Sequence, residues 1–277
     1  MNKLPKEKRV QILTALVEGV SMRAVTRMAG VSINTVTKLL VDAGKAALEF
    51  NERTMTNLKL KRIQCDEIWS FVGMKEKNVP AERKGQGVGD VWTWTAIDAE
   101  TKLVPCWLIG TRDAGCATEF MQDLASRLAH RVQLTTDGHK AYLSAVEDAF
   151  GGEVDYAQLV KLYGDDPHNL KPEARYSPGE CCGTRKTQVC GFPDKKHVST
   201  SFVERQNLTM RMSMRRFTRL TNAFSKKAEN LAHAVALHFF NYNFCRVHKS
   251  LHGATPAMAA GITPEPASLA DLVDMLD

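Results

Sequence analysis

The feature that most constrains this chain is a run of eleven residues, Ile63–Gly73, reading IQCDEIWSFVG. It alternates with period two and is rich in aromatic and β-branched residues, the pattern of a strand. Two more runs of the same kind follow, VWTWTAIDA and LVPCWLIG. A charged, glycine-rich stretch (EKNVPAERKGQGVG) separates the first two runs, and AETK separates the second from the third. Three strand-like runs joined by short connections predict an antiparallel meander. Helical ATEFMQDLASRLA, a short apolar strand RVQLTTDG, helical YLSAVEDAF and a further strand VDYAQLVKLY come next. Strands interrupted by crossover helices predict an α/β domain with a mixed sheet. The region Gly164–His197, rich in Gly, Pro, Cys and Lys, reads as irregular, and an amphipathic helix is predicted over Thr200–Phe217, followed by a second over Phe224–Phe244.

Ahead of the strands, Lys8–Ala43 reads as three short helices. Val10, Leu13, Leu16 and Val17 give the first an apolar face, Gly19 ends it, Ser21 caps the second, Gly30 makes a turn and Ser32 caps the third. This is a helix-turn-helix pattern with Ala24, Val31, Val36 and Leu39 as its small core. Asn34, Thr35, Thr37 and Lys38 face outward on the third helix, the element such a motif inserts into the major groove of DNA. A plain three-helix dimerisation bundle is the alternative. The predicted organisation is therefore a helix-turn-helix domain over 1–46, a linker over 47–62, the α/β domain over 63–261 and an acidic tail over 262–277.

Charge supports a polyanionic partner. The net charge is +6, but the last sixteen residues hold four acids and no base, which leaves the first 261 at +10; residues 1–46 alone carry eight Lys/Arg against three Asp/Glu. No segment approaches the roughly 18 consecutive apolar residues of a membrane span, and MNKLPKEKRVQ has no signal-like apolar run. The seven cysteines are odd in number and scattered, unlike a disulfide framework. A cytoplasmic protein with reduced thiols is expected.

Acids are poor strand formers and costly to bury, so Asp66 inside CDEIWSF needs a reason. Alternation sets it on the face opposite Cys65 and Glu67. Asp137 ends the fourth strand, and strand ends open toward the ligand crevice of an α/β sheet. If the first strand is central and the fourth lies beside it, both carboxylates reach one point, where they repel unless a divalent cation lies between them. Glu204 heads a basic segment, FVERQNLTMRMSMRRFTRL. On a helix packed across the sheet it would complete an oxygen-ligand site for two Mg²⁺ ions about 4 Å apart, the arrangement for in-line phosphoryl transfer. Arg211 lies two helical turns on and nearly on the same face, and Arg205, Arg215, Arg216 and Arg219 extend a strip suited to a nucleic-acid backbone.

CDEIWSFVG, TTDGHKAY and FVERQNLTMRMSMRRFTRLTNAFSKK resemble the three catalytic blocks of Asp-Asp-Glu transposases from bacterial insertion sequences, most closely the insertion-sequence-one family, and NYNFCRVHKSLHGATPAMAAGI is similar to the segment that follows their glutamate. The resemblance spans roughly residues 60–261. It implies an RNase H-like catalytic fold, Mg²⁺ dependence with Mn²⁺ as a substitute, and cleavage and strand transfer at terminal inverted repeats of double-stranded DNA, into a target DNA, by a complex of at least two copies. By the same resemblance Asp66, Asp137 and Glu204 are the catalytic and metal-binding triad, and Arg211 matches the basic residue that often follows the glutamate. Two departures stand out: no cysteine precedes Cys65, where relatives often carry a zinc-binding motif, and 66 residues separate Asp137 from Glu204, a longer gap than in many relatives.

Other features have blander readings beside the sharp ones. Cys181, Cys182, Cys190 and His197 lack a CxxC pair and read as a loop with free thiols rather than a zinc site. Trp69, Trp92, Trp94 and Trp107 read as packing, His233 and His238 as structural, and His139 as either a turn residue or a neighbour of the metals. Arg246, His248 and Lys249 are a helix end or a DNA contact. Two rival functions stay open: a nuclease of the same fold that hydrolyses without joining, and a helix-turn-helix regulator whose α/β domain is not catalytic.

Overall fold

The structure, a computed structural model, describes residues 3–163, 181–218 and 221–277, so Arg219 lies outside the described residues and the Gly164–His197 region is seen only from Cys181 onward. Helices α1 (Lys6–Val17), α2 (Met22–Ala29) and α3 (Ile33–Thr54) open the chain. Their boundaries follow local chemistry: Ser21 accepts from the Ala24 amide, Ser32 accepts from the Thr35 amide, and Gly30 adopts the left-handed conformation that ends α2. The α1 face differs by a small rotation from the prediction, since Ile12, Leu13 and Val17 are its buried apolar residues. Val25, Ala29, Val36 and Leu40 join them in the core.

The predicted boundary at 46/47 falls inside α3, which continues because Ala43, Ala47 and Asn51 prolong its buried stripe by one turn at a time. Its second half packs on α7 (Ala228–Phe240), with Phe50 edge-on to Phe240 and Phe244 at 5.5 and 4.9 Å. The crossing requires Gly44, because a Cβ there would collide with His233. Glycine inside a helix costs about 1 kcal/mol against alanine, a cost offset here by the close approach.

Strands β1 (Arg62–Val72), β2 (Gly89–Asp98), β3 (Trp107–Gly110), β4 (Gln133–Thr136), β5 (Asp155–Tyr163) and β6 (Cys181–Cys190) form one six-stranded sheet in the order β3-β2-β1-β4-β5-β6. The meander β1–β2–β3 is antiparallel, β4 and β5 lie parallel to β1, and β6 returns antiparallel to β5. The fold is thus a mixed α/β one with β1 central and β4 its neighbour. Strand β6 corrects the irregular reading of its segment. It is an edge strand with little burial and several polar residues, so it has no apolar face for the sequence to display.

Helices cover both faces of the sheet. On one, Cys65, Glu67 and Trp94 face α4 (Ala114–Arg127) and α5 (Ala141–Phe150), with the Trp94 ring 6.0 Å from Phe120 and 5.4 Å from Tyr142. On the other, Gln64, Asp66 and Trp107 face α6 (Ser201–Ser213) and α7, with the Trp107 ring tilted at 33° and 4.7 Å from Phe239. Helix α6 stops short of the predicted Phe217: Met214 turns extended, and Met214 and Phe217 are both buried instead. After α7 and the short α8 (Pro256–Ala259), α9 (Leu269–Asp274) docks on α1.

Candidate active site

Gln64 and Asp66 are two residues apart on β1 and therefore share a face, the one α6 lies across. The Gln64 side-chain oxygen accepts from the Phe202 and Val203 amides at 2.8 and 3.2 Å, satisfying donors that the first turn of α6 would otherwise leave orphaned. Three residues after Glu204, Asn207 donates its Nδ2 to Asp66 Oδ2 at 2.9 Å. These contacts fix α6 over the middle of β1. The parallel register sets Cys65 beside Thr136, so Asp137, the next residue, leaves β4 alongside Asp66. The Asp137 Oδ1 is held by the His139 amide at 2.9 Å.

Among the described residues one group of three potential ligands gathers: a carboxylate oxygen from each of Asp66, Glu67 and Asp137 lies within 4.8 Å of the others. Glu67 comes from the opposite face of β1, as alternation dictates, yet reaches the group because Asp137 lies beyond the end of β4. Burial is the main force on Asp66 and Glu67. It pushes Asp66 up to about 6, with the charges of Asp137 and Glu204 adding and the Glu67 amide and Asn207 opposing. Glu67 is pushed up to about 7 by burial and by Asp137, against the Tyr142 hydroxyl and the Arg112 guanidinium.

Two cations of the chain stand against this negative centre. Arg112, in the turn after β3, lies 3.3 Å from Glu67 and 3.6 Å from Asp137, with its guanidinium 4.9 Å above the Trp92 ring. Lys161 on β5 pairs with Glu204 Oε2 at 2.6 Å, while Thr200 Oγ1 donates to Glu204 Oε1 at 2.6 Å. Glu204 is therefore outside the three-oxygen group, half exposed, with its charge felt at Asp66. Carboxylate oxygens that are crowded, partly desolvated and poorly neutralised are the donor set of a hard divalent cation such as Mg²⁺.

The other predicted residues are more scattered. Arg211 lies on α6 two turns beyond Glu204, and Arg205 on the exposed side of the same helix. Arg215 is exposed in the turn after α6, whereas Arg216 is turned inward with its Nε on Ser225 Oγ at 2.8 Å, so the predicted strip is broken where the helix ends. On α3, Asn34 and Lys38 are exposed, but Thr35 bonds the Ser32 hydroxyl, Thr37 donates to the Ile33 carbonyl at 2.9 Å, and Lys38 pairs with Asp42 at 2.5 Å. Cys181, Cys182, Cys190 and His197 are not gathered into a ligand set. His139 packs against Trp94 and Tyr142.

Glu67, Arg112, Lys161, Gln64 and Asn207 escaped the sequence reading. Asn207 alone carried a local signal, one helical turn from Glu204. The others are brought in by pairing between distant strands.

No family model and no curated protein matches the chain. Among solved structures it is similar to a piggyBac transposase synaptic complex with hairpin DNA, at 12% identity and a TM-score of 0.43, over 100% of this chain and 72% of that one. It is similar to a Mos1 strand transfer complex at 13% identity and a TM-score of 0.25, over 86% and 76% of the two chains. A Mos1 mariner paired-end complex with Mn is similar at 14% identity and a TM-score of 0.22, over 56% and 60%. TM-scores this low carry no argument about this chain.

Proposed function

We propose that this chain is a transposase of the Asp-Asp-Glu kind, which binds the terminal inverted repeats of a mobile element in double-stranded DNA and catalyses their cleavage and transfer into a target. The observation that carries the reading is the meeting of Asp66 and Asp137, from neighbouring parallel strands, beneath the helix that bears Glu204. A regulator has no use for a buried Asp66 whose carboxyl is raised by the charges of Asp137 and Glu204, and a phosphoryl-transfer site does.

In this reading Asp66, Asp137 and Glu204 would hold two Mg²⁺ ions, or Mn²⁺ in their stead; Asp66 and Asp137 belong to an all-oxygen group that suits such ions, and Glu204 would join it from α6. The ions supply activation of the attacking oxygen and stabilisation of the leaving one. The chain's own residues do the rest. Asn207 orients Asp66, Gln64 anchors the first turn of α6 from which Glu204 projects, and Glu204 must part from Lys161 to act as a ligand, which frees the Lys161 ammonium for a phosphate. Arg211 and Arg205 lie along the same helix, where a DNA backbone held at the acids would run. Residues 1–46 serve as the helix-turn-helix unit, with α3 as the recognition element. The working complex contains at least two copies because two ends must be joined, and it acts in the bacterial cytoplasm on nucleoid DNA.

The test is cleavage of a labelled duplex carrying the flanking ends of the element, by the full chain, with Mg²⁺ or EDTA. Metal-dependent nicking followed by joined products is expected, with Glu204→Gln reducing it by roughly 100-fold or more, since even an outer-shell partner of a metal site is worth 10–100-fold. Cuts without joined products would make the enzyme a nuclease. Tight binding with no cut at all would overturn the catalytic reading.

A further inference from the structure

A cleft of about 930 Å³ separates the α1–α3 helices from the segments 214–216 and 221–226 and one face of α7. It lies apart from the three carboxylates and shares no residue with them. Among the described residues that line it, Arg23, Arg215, Arg216 and Lys226 are basic and none is acidic. Arg23, Arg215 and Lys226 stand exposed around it.

Arg216 is the unusual member. Its Nε donates to Ser225 Oγ at 2.8 Å and, among the described residues, its second terminal nitrogen meets the Met22 sulfur, at 3.5 Å, a weak acceptor. No described carboxylate pairs with it. Burial lowers its pKa to about 10, and no neighbouring acid opposes that shift, yet the group stays charged at neutral pH. The buried His238, whose Nε2 has no hydrogen-bond partner, lines the same cleft and is held neutral by its burial. A guanidinium that is largely desolvated with donors to spare is costly to maintain unless an anion completes it. Its flat fork matches two oxygens of a phosphate, and a hydroxyl such as Ser225 is a common companion.

The distribution of charge argues for a strand rather than a small ion. One inner guanidinium would suffice for a single phosphate, whereas three further cations surround the opening. Ile33 and Thr37, on the first turns of α3, line the cleft, so a backbone entering it is continuous with one lying against that helix. We propose that this cleft seats consecutive backbone phosphates of a DNA strand, with Arg216 on the inner phosphate and Arg23, Arg215 and Lys226 on its neighbours. The proposal rests on the reading of the chain as a DNA-acting protein and adds Arg23 and Lys226 to its contacts. It also gives the inward turn of Arg216 a purpose that a surface strip along α6 would not.

The experiment is fluorescence anisotropy of a labelled duplex with the full-length protein in EDTA, over a range of NaCl concentrations. The proteins compared are wild type, Arg23→Gln/Lys226→Gln, Arg216→Gln and Arg216→Lys, each checked by circular dichroism. Each lost phosphate contact lowers the slope of log affinity against log salt by about 0.9, so the exposed double variant should lose about 2 and Arg216→Gln about 1, with Arg216→Lys recovering much of the loss. The double variant removes only surface cations, so it decides the matter even if Arg216→Gln fails to fold. Wild-type binding with an unaltered slope in the double variant would overturn the cleft and leave the transposase reading standing. No duplex binding by the wild type would overturn both. Thermal stabilisation by inorganic phosphate that Arg216→Gln abolishes, with no change in any DNA slope, would make this a free-anion site and overturn the strand proposal.

Discussion

At the scale of single residues, Asp66 carries a stability cost that the proposed function explains. Its carboxyl is pushed from 3.8 to about 6 by burial and by Asp137 and Glu204. A folded-state pKa above the unfolded one means that the folded protein binds the proton more tightly. The stability this confers is full below pH 4 and is lost as the pH rises toward 6. In EDTA, Asp66→Asn should therefore match wild type near pH 4 and exceed it by up to about 3 kcal/mol above pH 6, a shift of about two units at 1.36 kcal/mol each. Urea unfolding across that range checks it, and a gap that does not change with pH would deny the strain. Saturating Mg²⁺ at neutral pH should stabilise wild type by about 3 kcal/mol at a hundredfold excess over its dissociation constant, and the variant far less. The acid itself was legible because it interrupts an apolar period-two run. Arg112 and Lys161 were not, because nothing local says that a turn after β3 and the far strand β5 end beside those acids.

At the scale of elements, the site depends on how α6 is seated. Gln64 is buried at 3% exposure and caps two amides of the first turn of α6, beside the Ser199 hydroxyl, which accepts from the Ser201 amide at 3.2 Å. Gln64→Leu keeps much of the volume but leaves one buried and one part-buried amide without an acceptor, at a cost of about 2 kcal/mol. The loss should concentrate in the turn that carries Glu204. Hydrogen exchange should thus show weaker protection at residues 202–206, with cleavage falling more than DNA affinity; unchanged protection there would make Gln64 a bystander. The β1–β2–β3 meander and the caps of α2 and α3 could be read from the chain, because each is written in neighbouring segments; that β4 lies beside β1 entered only as a condition, since the two strands are remote in sequence. The early end of α6 could not, since Met214 and Phe217 leave the helix for a core assembled from remote segments. Strand β6 was hidden for the opposite reason: an edge strand buries too little to leave a pattern. The length of α3 was half visible, as its small-residue stripe passes through a segment that also reads as a linker.

At the scale of the whole molecule, charge is organised by the packing of the two chain ends. The predicted acidic tail forms α9, whose Leu272 and Val273 are fully buried, and its acids meet the bases of α1: Lys6 pairs with Asp274 at 2.6 Å, and Arg9 grips both Asp277 oxygens at 2.7 and 2.9 Å, with Lys3 alongside. The excess positive charge of the N-terminal region is thereby cancelled on α1 and left on α2, α3 and the cleft, which biases a polyanion toward that side. The two roles of α9 separate by mutation. Leu272→Ala opens a cavity beneath α1 and should cost about 2–5 kcal/mol with little effect on the salt dependence of DNA binding. Asp274→Asn/Asp277→Asn removes exposed pairs that water screens, so stability should fall modestly, the buried Arg9 adding most of the loss. Binding should change in the other direction: with Lys3, Lys6 and Arg9 released, affinity for a random duplex should rise and the salt slope steepen by about 1–2, as extra phosphates are met without regard to sequence. Salt-dependent anisotropy on random and terminal-repeat duplexes measures both, and the expected signature is a smaller ratio between them. An unchanged ratio in the charge variant would mean that the tail only fastens α1 and does not direct the DNA.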